Sequence, residues 1–233
     1  MKKLTLFFIL AVTLVYSLST ALAATEVYQP ILEIPSSAKQ RKLLATQLES
    51  NFQQSQDALT IAQLGILYSV IAGYDDFSLK TVQKADRLLG LAVKKNLKNY
   101  ELIAAHGSII AMQASFVEGS TSATYRFLKK GFRKMDRAIK KAPNHIGALM
   151  QRGNNSLRLP KFLRRLHYAV KDFTKVLELL EGTQSLQFKS QVQYRLGEAY
   201  EKQKNKEMAR KYWTMAANNK IPIWSARAQE KLN

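Results

Sequence analysis

In several segments of this chain, apolar residues recur every three or four positions, with polar or charged residues between them. Because a helix turns by about 100° per residue, this spacing gathers the apolar side chains on one helical face. It predicts an N-terminal helix over Ser37–Phe52, whose apolar face carries Leu43, Leu44, Leu48 and Phe52. No alternating apolar and polar run is long enough to predict a strand. The predicted fold class is therefore all-α.

Small residues divide the helical region at regular intervals. Four glycines lie 42, 46 and 44 residues apart: Gly65, Gly107, Gly153 and Gly197. Three of them are followed by a pair of small residues seven positions apart, namely Ala85 and Ala92, Gly131 and Ala138, and Ala209 and Ala216. Small residues let two helices approach closely. A period in this range predicts a solenoid, because a single helical hairpin cannot bury its own apolar face.

The order of these residues resembles that of the tetratricopeptide repeat (TPR) family. In the last unit, which matches best, the first-helix positions are held by Leu196, Gly197 and Tyr200, and the second-helix positions by Ala209, Trp213 and Ala216. The unit around Gly153 matches least, since Arg152 and Ser156 stand where the family has apolar residues. The first two units carry extra residues, at Gly73–Lys80 and Val117–Ala123.

The resemblance implies a right-handed α-solenoid of about four helical hairpins over residues 58–222. The four units cover about 58–97, 98–143, 144–182 and 188–222. Residues 24–57 are expected to hold the N-terminal helix, and residues 223–233 a polar capping helix.

The first 23 residues have the composition of a signal peptide. Lys2 and Lys3 precede the apolar stretch Leu4–Tyr16, and Ala21 and Ala23 are the small residues that signal peptidase reads. Cleavage is expected after Ala23, and the leader is typical of bacteria, so we expect a periplasmic protein. An uncleaved N-terminal anchor is the alternative. The chain has no cysteine, which excludes both disulfides and a lipid-modified cysteine.

Positive charge is concentrated in the middle of the chain. Residues 126–175 contain fifteen basic and two acidic residues, a net charge of +13, whereas residues 24–125 are neutral. Eight of these cations fall within an arc of about 140° on one helix, namely Arg126, Lys129, Lys130, Arg133, Lys134, Arg137, Lys140 and Lys141. Leu128, Phe132, Met135 and Ile139 fall on the opposite side.

A solvated helix face usually mixes charges of both signs. In this row only Asp136 offsets the cations, so the sequence favours an anionic partner over an ordinary solvated face. Nucleic acid is disfavoured as that partner, because the protein carries an export leader and no recognised nucleic-acid motif.

A second basic segment follows. Pro160 suits the first turn of a helix, and the apolar stripe Phe162, Leu163, Leu166, Ala169, Phe173 and Val176 is expected to be core. The flanking Arg164 and Arg165 are candidates for electrostatic attraction to anionic lipid or lipopolysaccharide.

The sequence offers no catalytic constellation and no expected cofactor. His106, His145 and His167 are far apart and lack metal-ligand spacing. We expect a binding protein and not an enzyme, with His106 a core histidine.

The TPR resemblance also implies a concave groove lined by the first helix of each hairpin. It places Met150, Asn154, Leu157 and Arg158 on that face, where the amide and the guanidinium suit a peptide. The family's carboxylate clamp is absent, because the other first helices offer Ala62, Ile66, Glu101 and Ser108.

The sequence therefore predicts an exported TPR adaptor that binds an acidic envelope protein or peptide. The predicted contacts are the groove residues together with Arg126, Lys130, Arg133, Arg137, Lys141, Arg164 and Arg165. The alternative is a peripheral binder of anionic envelope surfaces such as phospholipid, lipopolysaccharide or acidic polysaccharide. Whether the groove or the basic patch dominates binding stays open.

Overall fold

The computed structural model describes residues 28–182 and 185–233, and the predicted leader lies outside these ranges. This part of the chain is all-α and contains ten α-helices. They are α1 (Ala38–Gln54), α2 (Ala58–Tyr74), α3 (Leu79–Lys95), α4 (Tyr100–Met112), α5 (Thr121–Lys141), α6 (Ile146–Arg158), α7 (Leu166–Leu179), α8 (Leu186–Lys202), α9 (Lys206–Asn218) and α10 (Pro222–Leu232). Short 3-10 turns follow α4, at Gln113–Phe116, and α6, at Lys161–Leu163.

Most helices begin where a polar side chain satisfies a free backbone N–H of the first turn. Ser37, Asp57, Ser78, Asn99, Ser120, His145 and Asn205 each accept such a bond. These caps replace hydrogen bonds that the first turn of a helix cannot form within itself. Pro222 stands in the first turn of α10, where its missing N–H costs nothing.

Consecutive helices pack as antiparallel pairs, α2 with α3, α4 with α5, α6 with α7, and α8 with α9, as a helical-repeat solenoid requires. The first helices of these pairs also contact each other, most extensively α4 and α6. In the described part of the chain the second helices make no comparable contact with one another. The stack therefore has an inner row of first helices and an outer row of second helices with clefts between them.

Each hairpin closes on one of the four regularly spaced glycines. A Cβ on Gly65 would lie 2.9 Å from the Leu89 side chain, and one on Gly197 would lie 2.4 Å from the Trp213 indole. At Gly153 the obstacle is the Phe173 ring, at 2.7 Å. The pairs of small residues predicted to mark the second helices are buried as well, including Ala85, Ala138 and Ala216 at 1% exposure or less. The prediction of close-packed hairpins is confirmed.

The closest approach is in the second hairpin, where glycine faces glycine. A Cβ on Gly107 would lie 2.8 Å from the Gly131 carbonyl oxygen, and one on Gly131 would lie 2.4 Å from the Gly107 carbonyl oxygen. The obstacle at both sites is backbone, which cannot rotate away as a side chain can.

Several details of the sequence prediction are wrong. Leu43 is 58% exposed, and Ala45 takes its place on the buried face of α1. The extra residues expected at Gly73–Lys80 lie partly within the helices, because α2 continues to Tyr74 and α3 begins at Leu79. Pro160 precedes only the 3-10 turn at Lys161–Leu163 and does not begin an α-helix. Arg164 has a φ of 52°, which interrupts the chain before α7 begins at Leu166, and Phe162 is 78% exposed.

None of the helices within the described ranges is long and apolar enough to cross a membrane.

The glycine contact predicts the effect of adding one methyl group. We expect Gly131→Ala to lower the free energy of unfolding by about 1–3 kcal/mol, because overpacking outweighs the gain in helix propensity. Gly90→Ala is the matched control, since its nearest neighbour is an edge atom of the His106 ring at 3.3 Å. Urea unfolding of both variants measures the difference. Equal stability of the two would contradict the backbone contact.

Candidate binding surfaces

The outer side of α5 presents a row of cations to solvent. Its exposed members are Arg126, Lys129, Lys130, Arg133, Arg137, Lys140 and Lys141, and we call this set the α5 basic face. Lys134, the eighth predicted cation, turns inward and is half-buried. Among the described residues, no carboxylate forms an ion pair with any member of the α5 basic face.

Asp136 does not neutralise this row, because two arginines from the neighbouring hairpin use its carboxylate. Arg165 Nη2 lies 2.7 Å from Asp136 Oδ1, and Arg152 Nη1 lies 3.1 Å from the same oxygen. Burial opposes ionisation of Asp136, but the hydrogen bonds and charges of Arg165 and Arg152 outweigh it and lower its pKa. Both bonds tie α5 to the α6–α7 hairpin.

A buried ion pair lies beneath this contact. Arg152 on α6 donates two hydrogen bonds to Asp172 on α7, at 2.8 Å from Nε and 2.7 Å from Nη2. Asp172 is fully buried and Arg152 is 5% exposed. The Arg152 guanidinium also lies over the Tyr168 ring at 4.4 Å. Arg152 stands where the repeat pattern usually has an apolar residue. It is nevertheless part of the core, and its charge is paired with that of Asp172.

Arg165 belongs to this internal network. Its side chain is 11% exposed and stacks on the rings of Tyr168 and Phe132, at 4.2 and 4.4 Å from their centroids. Arg164, the other predicted contact in this segment, is exposed. The network leaves Arg164 on the surface and fixes Arg165 inside.

A cleft of about 570 Å³ separates α5 from α7 on the outer side, with α6 at its base. Lys140, Lys171 and Lys175 are among its lining residues, together with the paired Asp136 and Asp172. Lys140 also belongs to the α5 basic face, so the cleft and the face form one continuous surface.

A second outer cleft, of about 370 Å³, lies between α3 and α5 beside His106. Asp86 Oδ1 lies 2.9 Å from His106 Nε2, and Lys134 Nζ lies 2.7 Å from Nδ1. Since an ammonium only donates, the ring accepts at Nδ1 and donates to Asp86 from Nε2. Burial lowers the pKa of Lys134, with Asp86 opposing the shift and Lys130 adding to it. Both ring nitrogens are satisfied, as expected of a core histidine.

No group of three or more metal-ligating side chains occurs in the ranges that the structure covers.

The loop between α6 and α7 exposes an aromatic ring among cations. Phe162 is 78% exposed, and its neighbours Lys161 and Arg164 are exposed as well. Arg164 ends this short segment in the left-handed backbone conformation, and its N–H donates to the Lys161 carbonyl oxygen.

The inner face differs from the predicted open groove. Met150 and Leu157 are 6% and 4% exposed and belong to the core. Asn154 is half-buried and Arg158 is exposed. The Arg158 guanidinium lies 3.7 Å above the ring of Tyr74 at the end of α2. Although other parts of the residue stay exposed, desolvation of the guanidinium, with the charge of Arg195 adding to it, lowers the pKa of Arg158 to about 10.

Tyr74 joins the first hairpin to the last. Its hydroxyl accepts a hydrogen bond of 2.7 Å from Arg195 Nη2 on α8, and Arg195 also pairs with Glu198. Tyr74 is thus held by arginines from α6 and α8, across the inner side of the stack. This end of the inner face is bridged by the chain itself.

The other end of the inner face is covered by the segment that precedes α1. Tyr28 donates a hydrogen bond of 2.9 Å to Glu101 Oε2 on α4, and its ring lies 5.3 Å from the Phe188 ring on α8. Glu101 is 5% exposed. Burial raises its pKa to about 7, although hydrogen bonds from Tyr28 and Gln151 oppose the shift.

Sequence reasoning found the cations of α5 because they recur at helical spacing. It missed the contacts of Tyr28, Tyr74 and Asp136, whose partners lie 73, 121 and 29 residues away. The one available signal was the presence of Arg152 at an apolar repeat position, which indicates a buried acidic partner.

Comparisons with family models, curated proteins and solved structures find no significant match to this chain.

Breaking the buried ion pair should lower the stability strongly, and removing the second charge as well should restore part of it. We expect Asp172→Leu to cost about 3–5 kcal/mol, because it leaves the Arg152 charge buried with only Asp136 as a partner. Arg152→Met combined with Asp172→Leu is expected to cost clearly less, since no unpaired charge remains. Guanidinium unfolding gives both values.

The exposed pair Lys175–Glu178 is the control, and Glu178→Gln is expected to cost less than about 1 kcal/mol. Its side chains are 41% and 58% exposed. A double variant as unstable as Asp172→Leu alone would mean that packing, and not the unpaired charge, causes the loss.

Proposed function

We propose that this protein is an exported helical-repeat adaptor of the TPR type that holds an acidic envelope protein or peptide against the α5 basic face. The predicted leader at residues 1–23 supports export to the periplasm. The stack of antiparallel hairpins supports a binding role, because repeat proteins present extended surfaces to their partners.

The observation that carries this proposal is the unpaired state of the α5 basic face. Seven exposed cations stand on one helix face, and the nearby carboxylates of Asp136 and Asp172 are bound to Arg152 and Arg165. Like charges at helical i,i+4 spacing repel one another and destabilise the helix. An acidic partner relieves that repulsion, so its complementary charge favours binding to this face.

The inner face is the weaker candidate for this partner. Two of its predicted residues, Met150 and Leu157, are core, and Arg158 already stacks on Tyr74. The outer cleft between α5 and α7 is open and adds Lys171 to the basic surface. We therefore assign the acidic partner to the outer side, with Arg133, Arg137 and Lys141 as central contacts.

Charge reversal tests this assignment. Replacing Arg133, Arg137 and Lys141 by Glu alters only exposed side chains, so the thermal unfolding temperature should change little. We expect the affinity for a fluorescent poly-glutamate peptide to fall at least tenfold, measured by anisotropy. The wild-type affinity should itself fall with salt, because the screening length shrinks to about 3 Å at 1 M.

The matched control reverses Lys39, Lys42 and Lys80, which are exposed and outside the basic region. It should bind the peptide like the wild type. A periplasmic extract passed over both variants then identifies the natural partner. Equal binding by both triple variants would remove the α5 basic face as the site.

A second candidate function, peripheral binding to an anionic membrane surface, is favoured by the loop at residues 159–165. An exposed aromatic ring beside cations suits the boundary between lipid headgroups and acyl chains. Phe162 supplies that ring, flanked by Lys161 and Arg164.

Vesicle sedimentation tests the second candidate. If this loop inserts, Phe162→Ala should reduce binding to phosphatidylglycerol vesicles about tenfold, since full burial of a phenylalanine side chain contributes about 1.5–3 kcal/mol. Leu97→Ala is the control, because Leu97 is 74% exposed in the loop between α3 and α4, at the opposite end of the hairpins. Wild-type protein that stays in the supernatant with these vesicles would exclude this role.

A further inference from the structure

We infer that the inner face carries a second binding site, which accepts an extended peptide with a tyrosine followed by apolar residues, and that residues 28–36 occupy this site in cis. We call residues 28–36 the N-terminal segment. This site is distinct from the one proposed for the acidic partner on the α5 basic face, because it lies on the opposite side of the stack and accepts a ligand of different chemistry.

The N-terminal segment has no regular secondary structure. Ile31, Leu32 and Ile34 pack against the buried apolar residues that α1, α2, α3 and α4 contribute to the core at this end of the stack. The Tyr28 ring reaches farther, to Phe188 on α8. The segment thus contacts helices from three of the four hairpins, as a peptide lying along the groove of a repeat protein does.

Side chains of the helices also bind the backbone of the segment. Gln63 Nε2 donates a hydrogen bond of 3.4 Å to the Ile31 carbonyl oxygen. Arg41 Nη1 donates to the carbonyl oxygens of Pro35 and Ser36, at 2.7 and 2.8 Å. Arg41 is fixed by two bonds to Asp75, at 2.7 and 2.6 Å. Contacts to carbonyl oxygens do not depend on the side chains of the bound peptide, so they serve a segment of another chain equally well.

Glu101 supplies the specificity for tyrosine. The carboxylate is 5% exposed and has no cationic partner in the described part of the chain. A Cβ on Gly147 would lie 2.1 Å from Glu101 Oε2, so the absence of a side chain at Gly147 makes room for this carboxylate. Its Oε2 atom accepts the phenol O–H of Tyr28, and a peptide tyrosine in that place would donate to the same atom. A phenylalanine in the same place would leave a buried acceptor unpaired, at a cost of about 1–3 kcal/mol.

Binding in cis explains how such a site stays masked. A tethered segment has an effective concentration of about millimolar at its site. A free peptide at micromolar concentration therefore competes poorly with an intact N-terminal segment. It binds well once the segment is weakened, or when another protein presents the same chemistry at high local concentration.

The test weakens the segment in the full mature chain and supplies it in trans. In the variant, Tyr28, Ile31 and Leu32 are replaced by Ala, and the probe is a fluorescent peptide that copies residues 28–36. We expect the variant to bind this peptide at least tenfold more tightly than the wild type does. Replacing the peptide's tyrosine by phenylalanine should weaken binding about fivefold to 150-fold, which is the cost above expressed as a ratio.

A second measurement keeps the segment intact. The chain contains no cysteine, so Gln29→Cys, at an exposed position, carries a single fluorophore. Millimolar unlabelled peptide should lower its anisotropy by releasing the segment. Phe188→Ala should weaken peptide binding in the weakened-segment variant, whereas reversing Arg133, Arg137 and Lys141 should leave it unchanged. These two controls separate this site from the α5 basic face.

If the folded weakened-segment variant does not bind the peptide, or the label keeps its anisotropy at millimolar peptide, the inference is overturned. The N-terminal segment is then a fixed part of the fold. If the weakened-segment variant fails to fold, the labelled chain alone decides.

Discussion

The close approach of two helices at a glycine is the constraint on which the rest of this structure depends. Each hairpin has one such contact, between Gly65 and Leu89, Gly107 and Gly131, Gly153 and Phe173, and Gly197 and Trp213. Because the paired helices lie so close, each hairpin presents an apolar face that only a neighbouring hairpin can cover. This stacking produces the row of first helices, the outer clefts and the exposed side of α5.

The electrostatic character of the surface depends on where the few acidic residues are used. In the α5–α7 region, Asp136 and Asp172 are bound to Arg152 and Arg165. Elsewhere, Glu49 pairs with Lys84 and Asp75 with Arg41. These carboxylates hold neighbouring helices together, and within the described residues none forms an ion pair with the outer cations of α5. The placement of the acidic residues therefore produces both the internal ion pairs and the excess positive charge on the outer side of α5.

The sequence was sufficient for the features that repeat at short range. Helical spacing gave the all-α class and the basic side of α5, and the glycine period located the hairpin contacts. The sequence did not predict the contacts in which a side chain is bound by a helix far away along the chain. The repeat pattern places Met150 and Leu157 in a groove, and this is wrong because the pattern does not show how tightly successive first helices pack. Phe162 was assigned to the core because its spacing fits a helix that the backbone at Arg164 interrupts.

The contact of Tyr74 with Arg195 bears on how the protein unfolds. In a simple repeat array each unit touches only its neighbours, so unfolding can begin at either end and spread unit by unit. Here the end of α2 is hydrogen-bonded to α8, and the Tyr28 ring joins the start of the described chain to the same helix. Fraying of the first hairpin therefore also breaks contacts of the fourth. These contacts link the two ends of the stack, and we expect its loss of structure to be cooperative, as in a globular domain.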